Sequence, residues 1–568
     1  MPFVITQPCC NDATCVSVCP VNCIHPTPDE PGFGTSEMLY IDPDGCIDCG
    51  ACVAPCPVDA IVSNFDLTEE TERYAQINAQ YYADPAHQDY SDTPYAPHKP
   101  SIEVSEQGPL RVAVVGSGPA GCYAAEELLT SAGTTVEVHL FERLPTPWGL
   151  VRYGVAPDHQ GTKSVTDLFT RTARRPGLDF HLNVQVGEHI THEELLAHHH
   201  AVIYAVGAPH DRKLGIPGED LPGSHSATDF VAWYNGHPDF TDRSFDLTSE
   251  RAVIVGNGNV ALDIARILTS DVDQLARTDI ADHALEALSR SNITEVVVLG
   301  RRGPAQAAFT TPELLGLAAG NNFDVIVAPD DAQLDPVTAA KLAADPHSMT
   351  GLKSTIIAEL ASRPTTDARK RVTLRFLASP AEVLGENRVR GLRIVRNELV
   401  SSAGERLEAH ATAVTEEIEC GLVLKSVGYR GAPIPGLPFD DAHGTLPNDA
   451  GRVIDPSTKT PIPGVYTAGW MKRGPSGVIG TNKKCAGETV QALLSDFAAG
   501  RLEEPKLDGD ALRELIIERQ PHALDHTGWE AIDLYERTTA HEYQRPRIKL
   551  TDTTTMLNIA ENTPPQNN

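Results

Sequence analysis

At 568 residues, 41% hydrophobic and 22% charged, the chain is long enough for about three or four domains, each with its own core. Its 77 Asp and Glu outweigh 46 Lys and Arg to give a formal net charge of −31, and the absence of any Lys/Arg stripe excludes nucleic-acid binding by phosphate neutralisation. No run reaches the roughly 18 apolar residues of a membrane span, and Met1-Pro-Phe-Val-Ile5 lacks the basic start of a secretory signal, so a cytoplasmic, reducing setting without a membrane partner is expected.

Nine of the 12 cysteines precede residue 57, and only Cys122, Cys420 and Cys485 follow. In a reducing compartment this distribution reads as a metal module on a cysteine-poor body, not as a disulfide framework. Cys46-Ile-Asp-Cys49-Gly-Ala-Cys52-Val-Ala-Pro-Cys56-Pro57 is the C-x2-C-x2-C-x3-C-P run of a small α+β bacterial-type ferredoxin, in which the fourth cysteine serves the other cluster. A shift of 37 residues superposes Cys9, Asp12, Cys15, Cys19 and Pro20 on Cys46, Cys49, Cys52, Cys56 and Pro57, so residues 1–66 form an internal repeat. The crossing rule assigns Cys46, Cys49, Cys52 and Cys19 to one [4Fe-4S] cluster. It leaves Cys9, Cys15 and Cys56 for a second, where Asp12 replaces a thiolate with a harder donor. A [3Fe-4S] cluster, or a labile [4Fe-4S] with Asp12 as ligand, is expected there; the alternative for Asp12 is a solvated loop residue. Cys10 and Cys23 are read as non-ligating. The segment resembles the seven-iron bacterial ferredoxins. Its nine acidic residues and complete lack of Lys and Arg offer either a docking face for basic partners or a merely solvated surface.

Residues 67–108, rich in proline and scattered charge, read as a partly extended linker with one helix possible over 68–82. Arg111-Val-Ala-Val-Val-Gly116-Ser-Gly118-Pro-Ala-Gly121 then gives a strand, a tight three-glycine turn and a helix start, a dinucleotide fingerprint. The next strand ends at Glu142. A carboxylate there accepts ribose hydroxyls and repels a 2′-phosphate, which fits the AMP part of FAD or NAD better than NADP.

Together with the following run, Arg143-Leu-Pro-Thr-Pro-Trp-Gly149-Leu-Val-Arg152-Tyr-Gly-Val155-Ala-Pro-Asp158-His159, this region resembles the adrenodoxin reductase family of NADPH–ferredoxin reductases, from about Leu110 to Leu550. The resemblance implies FAD contacts from Ala120, Glu142, Leu150 and Val186, and places His159 near the flavin edge. A structural role for His159 is the alternative.

A second fingerprint, Arg251-Ala-Val-Ile-Val-Gly256-Asn-Gly258-Asn-Val-Ala261, means a second dinucleotide. Here the second strand ends in Gly300-Arg301-Arg302-Gly303, and two guanidiniums can clamp a 2′-phosphate, each charge-assisted bond contributing roughly 1.5–3 kcal/mol. The pair therefore predicts NADP. The family resemblance adds nucleotide contacts from Asn257, Gly258, Asn259, Val260 and Glu313. Residues 330–370 read as helical, and 371–397 as strand-like.

Gly464-Val-Tyr-Thr-Ala-Gly469-Trp470-Met-Lys-Arg-Gly474-Pro-Ser-Gly477-Val478-Ile479-Gly480 is a strand, a glycine-rich turn and a helix start. By the resemblance it returns to the FAD domain, with Trp470, Gly477, Val478 and Ile479 against the isoalloxazine and Gly477 also touching NADP. Residues 510–518 read as a covering helix and the tail after Leu550 as frayed.

The expected architecture is α/β. A ferredoxin domain (1–66) and linker (67–108) precede two doubly wound three-layer domains, one for FAD (109–208 and 433–552) and one for NADP (209–432), with a tail (553–568). The resemblance implies an NADPH–ferredoxin oxidoreductase passing electrons to ferredoxin or another one-electron acceptor protein. The alternatives are an electron-input module for a separate catalytic subunit, as in glutamate synthase, and a non-catalytic iron–sulfur sensor. A disulfide reductase does not fit, since Cys122, Cys420 and Cys485 supply no redox pair.

Overall fold

The computed structural model describes residues 2–102, 108–320, 322–366, 368–401 and 407–562. Two sheets organise the chain. In the first, the apolar run Leu110–Val115 lies between Ala201–Tyr204 and Val136–Glu142, all parallel, with Leu178–Leu182 beyond on one side. On the other side Pro461–Thr467 pairs parallel with Ala201–Tyr204 and carries the short antiparallel strands Arg452–Ile454 and Asn448–Asp449. Three of the seven strands thus come from the far end of the chain. The second sheet is wholly parallel, in the order Ser224–Ser226, Leu422–Lys425, Arg251–Val255, Glu295–Leu299, Lys370–Arg375, Phe323–Val327. Its inner strands are rich in Val, Ile and Leu because both faces are covered: Ala252, Ile254, Val296 and Val298 pack on helices, while Val253, Val255, Val297 and Leu299 pack on the meander described next. A three-stranded meander, Ala378–Leu384, Gly391–Ser401 and Leu407–Glu419, is attached to it.

The chain passes between the sheets twice, and the two crossings pair as an antiparallel ribbon, His210–Asp211 with Tyr429–Arg430. Residues 330–370 contain the helices Pro336–Ala344 and Met349–Ser362, as the sequence predicts. Gly509–Arg519 covers the first sheet through buried Leu512 and Ile516. The tail departs from expectation. Thr553–Asn562 is a helix with Met556 fully buried, packed on the helix His526–His541, while 563–568 lie outside the described residues. Leu557 and Ala560 pack beside Met556, and this tertiary packing holds a ten-residue helix that would be marginal alone.

The N-terminal module is built from Phe3–Ile5 paired antiparallel with Ile61–Ser63 and from Ile24–His25 paired with Tyr40–Ile41. The segment read as a linker completes it. Helix Arg73–Ala83 buries Asn78, whose Oδ1 accepts from the backbone amides of Ile5 (3.2 Å) and Ile41 (2.9 Å) while Nδ2 donates to the Ile5 carbonyl. Tyr81 stacks on Tyr40, and the Tyr82 hydroxyl donates to the Tyr40 carbonyl. Val4, Ile5, Val16 and Ile41 belong to one contiguous core with Tyr123, Leu128 and Trp529 of the large body, so the module is packed onto the reductase-like body.

Candidate functional site

The cysteines gather as the crossing rule requires. One cavity is lined by Cys9, Cys15, Cys56, Cys10 and Asp12, and a second by Cys19, Cys46, Cys49, Cys52 and Cys23. The repeat is visible in the hydrogen bonds: the Cys23 amide donates to Cys19 Sγ, and the amide of its repeat mate Ala60 donates to Cys56 Sγ. The second cavity has the four thiols that a cubane cluster needs, with Cys23 besides; the first has Cys9, Cys15 and Cys56 with Asp12 in the fourth repeat position. Cys10 and Cys23, read from sequence as non-ligating, thus stand on the cavity walls beside the predicted ligands. Without bound metal, burial pushes the Cys9 and Cys52 thiols up to about 12, so binding there releases protons. Asp12 is no solvated loop residue. It is buried, its carboxylate accepts from the Thr14 amide and hydroxyl, and Lys483 Nζ stands 3.8 Å away.

At the first glycine turn, each glycine has a separate physical reason. Gly116 has φ +103°, and a Cβ would lie 2.6 Å from the Ala205 carbonyl oxygen; a Cβ on Gly121 would lie 1.9 Å from the Gly116 oxygen. Around Gly118 a Cβ meets only Gly149 Cα, at 3.9 Å, so the turn is open where a pyrophosphate would approach the amides of helix Pro119–Leu129. Glu142 Oε2 accepts from the Ser117 amide (3.1 Å) and hydroxyl (2.7 Å), and Oε1 accepts from the Leu144 amide. Further lone pairs remain on that carboxylate for ribose hydroxyls. The Trp148 amide donates to the Ser117 carbonyl, which brings Leu150 and its short helix over the turn. Ala120 meets Gly469, where a Cβ would be 2.5 Å from the Ala120 Cβ, so the Trp470 segment closes on the same helix start. Trp470 is half-buried, its Nε1 donating to the Ser476 carbonyl, and the half-buried or exposed Gly477, Val478 and Ile479 precede helix Thr481–Ala498. Val186 packs instead against the core layer of Val115, Phe141 and Val184.

The second turn repeats the logic. Gly256 has φ +112°, and a Cβ on Gly258 would meet nothing within 4 Å. Asn259 Oδ1 accepts from the Thr310 amide at 2.8 Å, tying the helix start Asn259–Val260 to the loop after the arginine pair, and Asn257 sits against Gly300. Arg301 is exposed and Arg302 half-buried. Asn397, from the meander, donates to the Arg301 carbonyl at 2.8 Å, and the Leu377 amide donates to that of Arg302. No sequence pattern points to Asn397, because its partner is a main-chain atom almost a hundred residues away.

His159 and Glu313 meet between the two sheets. Arg266 Nη2 donates to His159 Nε2 at 2.8 Å and Gln7 Nε2 approaches the same atom at 3.3 Å, which leaves Nε2 the acceptor and Nδ1 the N–H, 3.8 Å from Asp263. Arg266 also pairs with Asp158 and Asp263, and Gln7 donates to Glu313 Oε1. Burial, with the Asp263 carboxylate nearby, holds Glu313 above the usual carboxylate range.

Gln7 belongs to the N-terminal module, which therefore reaches this junction. Further contacts dock it. The Gly480 amide donates to the Cys10 carbonyl at 2.7 Å, and a Cβ on Gly480 would lie 2.1 Å from the Asn11 carbonyl carbon. Glu37 Oε2 accepts from the Thr311 amide at the start of the Glu313 helix, and Glu37 Oε1 pairs with Lys353 at 2.8 Å.

Comparison with known proteins agrees with this layout. Residues 9–60 match the 4Fe-4S dicluster domain model, and residues 110–296 match that of the pyridine nucleotide-disulphide oxidoreductases. The probable ferredoxin/ferredoxin–NADP reductase of Mycobacterium tuberculosis is 53% identical over 99% of this chain and 96% of its own length. The chain belongs to the ferredoxin/ferredoxin–NADP reductase family. The Mycobacterium leprae member is 50% identical over 100% of this chain and 99% of its own. Among solved structures, Mycobacterium tuberculosis FprA in complex with NADPH is 46% identical, covers 80% of this chain and 100% of its own, and superposes with a TM-score of 0.75. All 12 cysteines, each of them described, are free, and Cys122 and Cys485 are engaged separately, with the Ser117 carbonyl and the Gly469 amide. Among the described residues no helix is long and apolar enough to cross a membrane.

Proposed function

We propose that the chain is an NADPH–ferredoxin oxidoreductase that carries its own ferredoxin and delivers single electrons to a ferredoxin-type acceptor in the cytoplasm. The observation that carries this reading is the hydrogen bond between Gly480, at the end of the glycine-rich turn, and Cys10, on the wall of a thiol-lined cavity. When bound, FAD would supply the acceptance of hydride from NADPH and the release of single electrons, which iron–sulfur clusters can carry.

In this reading residues 109–208 and 433–552 form the FAD domain and 209–432 the NADP domain. Gly116, Gly118, Ala120, Gly121, Glu142 and Leu150 hold the adenine half of FAD, Val186 adds an apolar contact, and Trp470 with Gly477–Ile479 borders the ring. Asn257, Gly258, Asn259 and Val260 cradle the pyrophosphate of NADPH, Arg301 and Arg302 clamp its 2′-phosphate, and Glu313 and Gly477 border the nicotinamide. We read His159, held by Arg266 and Gln7 at Nε2 and by Asp263 beside Nδ1, as a positioning residue at the junction. Cys19, Cys46, Cys49 and Cys52 hold a [4Fe-4S] cluster. Cys9, Cys15 and Cys56 hold the other, and the engagement of Asp12 by Thr14 and Lys483 favours three irons over four.

The deciding experiment is EPR of the protein as isolated and after NADPH, with ferricyanide reduction as the reference for the flavin. A three-iron signal in the oxidised protein and cluster reduction by NADPH are expected. Ferricyanide reduction without any change in the cluster signals would separate the ferredoxin from the flavin and overturn the reading.

A further inference from the structure

The 37-residue repeat makes the two halves of the ferredoxin module comparable position by position, and their surroundings are opposite. Cys10 is 3% exposed and its mate Ile47 60%. Asn11 and Asp12 are buried, whereas their mates Asp48 and Cys49 are exposed, and Cys49 is the sole exposed cysteine of the 12, all of them described. The inner run is covered by the large body, and that contact shows what the module's surface accepts. Lys483 Nζ donates to the Asp12 carbonyl (3.2 Å), Lys484 Nζ to the Pro28 carbonyl (2.6 Å), and Lys353 pairs with Glu37. Lysines thus meet an acidic module at its carbonyls and carboxylates, around a close main-chain contact.

The outer run presents the same chemistry to solvent. Ile47 supplies an apolar centre of the kind that anchors interfaces, Asp44 and Asp48 flank it, and Ala51 and Ala54 are exposed beside the outer cavity, which Ile47, Cys49 and Gly50 line directly. No Lys or Arg occurs before Arg73, and that residue is paired with Glu359.

We propose that a basic, one-electron-accepting protein docks on the Asp44–Ala54 face, so that the Cys9/Cys15/Cys56 half receives electrons from within the chain and the Cys19/Cys46/Cys49/Cys52 half hands them out. This rests on the reductase reading above. The balance is that of the same reaction: the C–H bond broken on NADPH supplies two electrons and a proton, the electrons reduce two acceptor proteins in turn, and the proton goes to solvent. Charge complementarity sets the encounter, while the exposed Ile47 and Cys49 set its place.

Cytochrome c, a basic one-electron acceptor, serves as the probe, with its affinity for the full holoprotein measured by calorimetry at low salt. Asp44→Lys with Asp48→Lys should weaken binding by about tenfold or more. Glu514→Lys with Glu518→Lys, the same change of net charge on an exposed helix of the body, should leave it within about twofold. Ala54→Lys, which touches no acid near a cluster ligand, should weaken binding in the same direction if the first pair loses iron. Equal weakening by both pairs, or none by the first pair and Ala54→Lys, overturns the docking face. NADPH-driven ferricyanide reduction by the unaltered protein is measured alongside; its absence would instead count against the reductase reading.

Discussion

Arg301 and Arg302 stand where the first sheet has Glu142, and that exchange at equivalent strand ends is the sharpest functional statement of any single positions. A carboxylate and a 2′-phosphate repel, whereas a guanidinium pair attracts the phosphate and is indifferent to a free hydroxyl. Replacing both arginines by Ala should therefore raise KM for NADPH by about a hundredfold while changing that for NADH by less than about threefold, as steady-state ferricyanide reduction would reveal. Equal effects would mean that the pair holds the loop instead of the phosphate. The pair was legible because it follows two and three residues after a predictable strand. Asn397, Gln7 and Asp263 were not, since each acts on a partner remote in sequence.

Helices at the end of the chain position the loop that crosses the first turn. From His526–His541, the fully buried Glu536 accepts from Arg152 Nη1 at 2.9 Å, and also from Arg547 and the Leu550 amide. Arg152 lies in the short helix that begins at Leu150, itself over the Gly118 turn. Glu536→Ala leaves a buried guanidinium without its carboxylate, so a loss of about 3–5 kcal/mol in thermal or denaturant unfolding is expected, with FAD released more readily. An unchanged midpoint would sink this role for the helix. Beside the first sheet, His139 Nδ1 lies 2.7 Å from His199 Nε2, and burial lowers His139 to about 4 and His181 to about 3. Because the unfolded imidazoles still titrate near 6.5, unfolding takes up protons between those values. Stability should be full above pH 7 and fall as the pH drops towards 4, by on the order of 3 kcal/mol for His139 alone. Midpoints measured from pH 7.5 to 5 check the sign, and His139→Gln should flatten the slope.

Across the whole molecule, docking places the proposed transfer of electrons into the ferredoxin within one chain. Gly480, Lys483 and Lys353 hold the module at the meeting point of the two sheets, and its apolar residues share their core. Bleaching of the cluster absorbance after NADPH should follow a rate constant that does not change over a hundredfold dilution of the protein. A rate proportional to concentration would show that chains reduce one another and that the docked arrangement is not the working one. The sharing of core also explains the helix Arg73–Ala83: a ferredoxin module of this size buries little surface alone, and Asn78, Tyr81 and Tyr82 supply part of what it lacks.

Chemistry was local in this chain, and the sequence alone determined it. Cysteine spacing, the repeat, two glycine turns and the acidic or basic ends of the following strands each depend on neighbours a few residues apart, so they can be read in order. Relations between those sites were decided only in three dimensions. Which cluster half faces inward, how Asp12 is engaged, and why Gly480 has no side chain all follow from surfaces brought together across hundreds of residues, where burial and close main-chain approach leave no periodic trace.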